Sequence, residues 1–306
     1  MSVIYSAPGK LMLLGEHAVV YGYPCLVTAV DKRLYVEAEL ISGDRDDIIT
    51  PQVKESRFVL ESIAHFKGKF NITSAVRIKT KGDFSHQVGL GSSSAVTVAT
   101  FKALSYLFEK NLSLRQIFDM SYHVTIFIQG VGSGFDIASA VYGGTLEYVK
   151  PGKVIDPLFI TSLPLVVGYS GIKADTPYYI RKVAEDFKSK KPLMEKIFLS
   201  ITNLVSQAKQ NLIEGNMAEV GNCLTANHIF LQELGVSTPL LDKMVESAVA
   251  SGAWGAKLSG AGGGDCMIAL VKPDKRVAVE EAIRKTGGEV INVNVNTKGL
   301  IRENKI

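Results

Sequence analysis

Residues 89–95 read Gly-Leu-Gly-Ser-Ser-Ser-Ala and open directly onto a helix-periodic stretch, a junction that limits the fold more tightly than any other feature of the chain. Val96, Ala99, Ala103, Leu104, Leu107 and Phe108 recur at helical spacing, which predicts a helix from Ser93 to about Glu109. A helix start leaves backbone N–H groups without intrahelical acceptors and carries the positive end of the dipole. Glycines let that backbone approach phosphate oxygens, and the hydroxyls of Ser92 and Ser93 can bond phosphate or ligate Mg²⁺. A serine-capped helix after an ordinary loop is the competing reading. The run is not a Walker sequence, because no Gly-Lys-Ser/Thr closes it.

The surrounding pattern is α+β. Val3–Ser6, Leu34–Leu40 and Thr145–Val149 read as strands, and Ser113 with Gln116 forms a capping box ahead of Leu114, Ile117, Phe118, Ser121 and Val124. Gly130–Gly134 ends that helix, and Pro151–Gly152 is a turn. In the second half, Leu165–Tyr169 reads as a strand, followed by helices near 177–190, 193–214 and 216–233. Pro239 behind Thr238 starts another helix, which Gly252 stops. Strands at Ala253–Leu258 and Cys266–Val271, a helix from Asp274 and a strand at Val290–Val295 complete an antiparallel α+β plan. At 306 residues two domains are expected, divided as 1–155 and 156–306.

Three further segments carry candidate chemistry. Ser6–Gly22 sets Lys10, Glu16 and His17 around tight turns. Lys10 is placed to stabilise transferring phosphoryl charge and His17 to bond an anionic substrate, against the alternatives of a surface cation and a satisfied core imidazole. Lys257–Cys266 contains Gly260, Ala261, Gly262, Gly263 and Gly264, a run whose chain-entropy cost implies close packing against a nucleotide or another backbone. Gly132-Ser133-Gly134-Phe135-Asp136 offers one carboxylate to orient or deprotonate an acceptor hydroxyl; a turn-capping aspartate is the alternative.

Composition removes several other classes. The net charge of +4 is mild and the chain has no dense basic block, so nucleic acid is not an expected partner. Cys25, Cys223 and Cys266 form no C-x-x-C pair, which argues against a disulfide framework and a zinc site. The opening MSVIYSAPGK is not a basic leader with an apolar core. No apolar run approaches the ~20 residues of a membrane helix, so no membrane association and a cytoplasmic location are expected.

Taken in order, these segments resemble the GHMP superfamily of small-molecule kinases, over about residues 4–295. The resemblance implies an N-terminal domain like the second domain of ribosomal protein S5 and a C-terminal ferredoxin-like domain, with ATP and substrate between them. It implies that Gly89, Leu90, Gly91, Ser92, Ser93 and Ser94 cradle the triphosphate and that Ser93 faces Mg²⁺. Gly260, Ala261, Gly262 and Gly263 would support the ATP site, while Lys10 and Asp136 act at the acceptor oxygen.

Within the superfamily, GEHAVVYG at 15–22 and the Asn227–Asp242 region are most similar to the mevalonate kinases. That similarity implies mevalonate as the substrate, with Glu16, His17 and Thr176 in its pocket, phosphorylation of the 5-hydroxyl, and a homodimer as in many relatives. Three features depart from the pattern. Thr125 stands where a magnesium-binding glutamate is usual, and GSGFD at 132–136 is more like phosphomevalonate kinases. Asp265 also replaces the usual fourth glycine of the last loop, so Ser93, the phosphates and water or Asp265 are expected to complete the metal's shell. Phosphomevalonate kinase, a mevalonate 3-hydroxyl kinase or related decarboxylase, and a non-catalytic metabolite-binding protein of the same fold stay open as alternatives.

Overall fold

From Tyr5 to Leu14 every residue of the first strand is buried, which requires cover on both faces of its sheet. The computed structural model describes residues 2–53, 56–85 and 88–304. Strand β1 (Ser2–Leu14) pairs with β2 (Cys25–Leu40), then come β3 (Asp47–Ile49), α1 (Arg57–Phe70), β4 (Val76–Gly82), α2 (Ser92–Leu107) and α3 (Leu114–Gln129). Helix α4 (Phe135–Tyr142) leads to the β5 (Thr145–Val149) and β6 (Val154–Leu158) hairpin. The second half runs β7 (Leu165–Tyr169), α5 (Thr176–Asp186), α6 (Lys191–Glu214), α7 (Met217–Glu233) and α8 (Pro239–Ala250). It ends with β8 (Ala253–Ser259), β9 (Cys266–Val271), α9 (Arg276–Lys285), β10 (Glu289–Ile291) and β11 (Ile301–Glu303).

The first sheet follows the order β11-β1-β2-β4-β3, with β5 on β2 and β6 on β5; the second follows β10-β7-β9-β8 and is antiparallel throughout. Period-two alternation splits the first sheet between two cores. Val3, Tyr5, Ala7, Val27, Val36 and Ala38 pack with α1–α4. Leu11, Leu13, Leu26 and Val30 share the other core with the second sheet and α6–α8. The expected boundary at 155/156 lies inside β6, all of whose residues pair with β5, and β11 brings the end of the chain back to β1. Among the described residues no helix is long and apolar enough to cross a membrane.

Several expectations need adjusting. The first strand extends past Ser6, because register shifts at Pro8/Gly9 and Met12/Leu14 accommodate a residue without an N–H. The last expected strand shortens to Glu289–Ile291. Beyond it the chain leaves the second sheet, and Asn294 bonds Asp31 while Val295 bridges Val30. The helix expected from Asp274 begins at Arg276 after a 3₁₀ turn.

Candidate active site

Three helices begin at one cleft of about 570 Å³. Gly91 is the N-cap of α2 and Gly134 that of α4, and neither helix has a side-chain cap, so their first-turn N–H groups remain for a ligand. Helix α5 differs, because the Asp175 carboxylate accepts from Tyr178 N at 2.9 Å and caps it internally. The dipoles of all three favour negative charge in the cleft.

Lys10 enters from β1. Its Nζ donates to Gly89 O at 2.9 Å and lies 5.6 Å from the Phe135 ring centroid, so one ammonium spans the glycine loop and the start of α4. Asp136 is in the first turn of α4 and lines the cleft. Its Oδ2 accepts from Ser94 Oγ, and among the described residues Oδ1 accepts no hydrogen bond. Of the serines in the loop, Ser92 and Ser93 are half-buried on the cleft wall, whereas Ser94 is buried.

The Gly15–His17 corner is strained and heavily braced. Ala18 N donates to Glu16 O at 2.7 Å across His17, whose φ of 60° and ψ of −49° make this the rarer γ-turn with positive φ. Such strain persists only where the surroundings over-determine it, and it clusters at functional sites. His17 Nε2 donates to Ala261 O at 2.9 Å, which ties the corner to the last glycine loop and fixes the neutral tautomer. Glu16 is fully buried and ion-paired with equally buried Lys257 of β8. Asn227 Nδ2 donates to Glu16 Oε2 at 3.5 Å. Burial pushes the Glu16 carboxyl up and the Lys257 ammonium down, and each is partly countered by the other's charge. Glu16 and His17 therefore line the cleft with both Glu16 carboxylate oxygens and His17 Nε2 already engaged by the protein.

Burial also pushes His17 down to about 4. Above its ordinary 6.5 the folded and unfolded chains both hold it neutral, and the associated stability is fully present. Between pH 6.5 and about 4 only the unfolded chain takes up the proton, so stability is lost as pH falls. Melting temperature measured across this window should drop more for the wild type than for His17→Gln, which keeps an N–H donor but does not titrate there. Parallel pH curves would count against a neutral, buried His17.

Most of the sequence-selected residues meet here: Lys10, Glu16, His17, Gly89, Gly91, Ser92, Ser93, Ser94, Asp136, Thr176, Gly260 and Ala261 all line the cleft. Leu90 does not; its side chain is in the apolar core and its carbonyl accepts from Lys10 N. Gly262 and Gly263 also lie off the cleft wall, where a Cβ would come 2.1 Å from Val236 O and 1.9 Å from the Tyr179 ring. At Gly262 the missing side chain serves packing against the Val236 backbone, one of the two purposes read from the glycine run, and at Gly263 it makes room for the Tyr179 ring. Asp265 occupies a left-handed backbone position (φ 56°) that aspartate tolerates. Its Oδ1 accepts from Ala174 N at 3.0 Å, and its carboxyl lies so close to Gly89 that a Cβ there would come 2.3 Å from Cγ. Burial raises this carboxyl's pKa.

Sequence reasoning gave Lys257 no role. The available signal was a lysine between Ala256 and Leu258 inside an apolar strand, where a charge is retained only with a partner.

Two GHMP kinase family models match the chain: GHMP kinases N terminal domain over residues 57–144 and GHMP kinases C terminal over 208–289. A galactokinase galactose-binding signature matches residues 1–39. The mevalonate kinase of Thermococcus sibiricus is 34% identical over 98% of each chain, and that of Pyrococcus abyssi 35% identical over 97% of each. The crystal structure of the Methanococcus jannaschii mevalonate kinase superposes with a TM-score of 0.83 at 26% identity, covering 97% of this chain and 99% of that one.

Proposed function

Given that this chain belongs to the GHMP kinase family, and within it to the mevalonate kinases, we propose that it transfers the γ-phosphoryl group of ATP to the 5-hydroxyl of mevalonate, giving 5-phosphomevalonate and ADP. The observation that carries this reading is the meeting, in one cleft, of the uncapped α2 start, the Lys10 ammonium on Gly89 O and the Asp136 carboxylate.

The N–H groups at the start of α2 and the hydroxyls of Ser92 and Ser93 hold the triphosphate. The acceptor oxygen forms a bond to the γ-phosphorus as the bond to the β–γ bridging oxygen breaks, and the proton passes to Asp136. Lys10, already fixed between the loop and α4, offsets the charge that develops on the transferring group. His17 and Glu16 shape the acceptor pocket through the braced turn, and Thr176 contributes from the start of α5.

The oxygen donors fit Mg²⁺. Thr125 Oγ1 is buried and without a hydrogen-bond partner among the described residues, and Thr125, Ser93 and Asp136 line the same cleft. No group of three or more His, Cys, Asp or Glu among the described residues is arranged to hold a metal ion. Such a set suits a cation that takes most of its ligands from phosphates and water. When bound with ATP, Mg²⁺ would neutralise charge on the β- and γ-phosphates; Ser93 and Thr125 would hold it from the protein side.

The test is ADP release with Mg-ATP on mevalonate and on 5-phosphomevalonate in parallel, with the product position read by phosphorus NMR. Turnover of mevalonate to the 5-phosphate is expected. Turnover of 5-phosphomevalonate alone would overturn the assignment and make GSGFD the better guide to the acceptor.

A further inference from the structure

Taking Asp136 as the group that receives the acceptor proton, as proposed above, we infer that Ser94 is a positioning residue that fixes this carboxylate and couples it to the nucleotide loop. The third serine of the loop differs from the two before it. Ser94 is 3% exposed and its Oγ donates to Asp136 Oδ2, 42 residues further along the chain. Its hydroxyl is thus engaged by the aspartate, while its backbone belongs to the helix start that receives phosphate. Oδ1 is left for the acceptor hydroxyl. The start of α2 and Asp136 are thus joined by a single hydrogen bond.

A carboxylate held by a fixed donor keeps one orientation, so losing that donor lets Asp136 turn away from the acceptor hydroxyl.

Ser94→Ala and Ser94→Thr test the inference, with kcat and KM measured for both substrates. Ser94→Ala should lower kcat roughly tenfold while KM for ATP changes little. Ser94→Thr keeps the hydroxyl and should recover most of kcat. If Ser94→Ala keeps the wild-type kcat, or raises KM for ATP as much as it lowers kcat, the inference is overturned. An Asp136→Asn enzyme that still turns over would sink the underlying reading instead, so the two failures are distinguishable. Should Ser94→Thr pack poorly, the kcat-against-KM split of Ser94→Ala alone decides.

Discussion

Asp136→Asn should lower kcat by ~10²-fold or more while leaving ATP affinity nearly unchanged. The amide keeps the shape of the side chain and can still accept from Ser94 through its oxygen, but it can no longer take the acceptor proton. On the proposed reading the nucleotide is held elsewhere, by the start of α2 with Ser92 and Ser93, so KM for ATP has little reason to move. Steady-state kinetics combined with nucleotide titration separate the two quantities. Near-normal turnover would remove Asp136 from the chemistry, and a comparable loss of ATP affinity would place it in nucleotide binding.

The largest effect on stability is expected at Lys257. Its ammonium and the Glu16 carboxylate are 0% and 1% exposed, so Lys257→Met leaves a carboxylate in the interior without its counter-charge. Breaking one side of such a pair costs about 3–5 kcal/mol, which corresponds to a fall in Tm on the order of 10 °C. Neutralising both sides, Glu16→Gln with Lys257→Met, should recover most of that loss, because the unpaired charge is the main cost. The double variant is still expected to bind mevalonate more weakly than wild type, since the clamp also holds the strained γ-turn at His17. A Lys257→Met protein that melts at the wild-type temperature would show that the buried pair contributes little.

Local signals in the sequence carried much of the fold. The Ser113/Gln116 capping box forms as read, and the strands Thr145–Val149 and Leu165–Tyr169 have the expected limits. Helix α1 went unread although Ser56 caps it and Val59, Ile63 and Phe66 mark its buried face; β4 did too, despite strict alternation in Val76–Lys81. Both patterns were within reach of the same rules. Strands β3 and β11 are three residues each and gain their identity only from a partner, so no local signal could have announced them.

The site divides in the same way. By itself the sequence determined the chemical inventory: a glycine-serine helix start, Lys10 ahead of a tight turn, and Asp136 behind two glycines. These are local because backbone freedom, helix dipoles and side-chain type act over a few residues. Only the tertiary structure decided which polar groups face a ligand and which face one another. It spent Glu16 on Lys257, 241 residues away, His17 on Ala261, and Ser94 on Asp136. A buried charge must find its partner wherever packing brings one: the apolar setting of Lys257 says that a partner is needed, but not which distant residue supplies it.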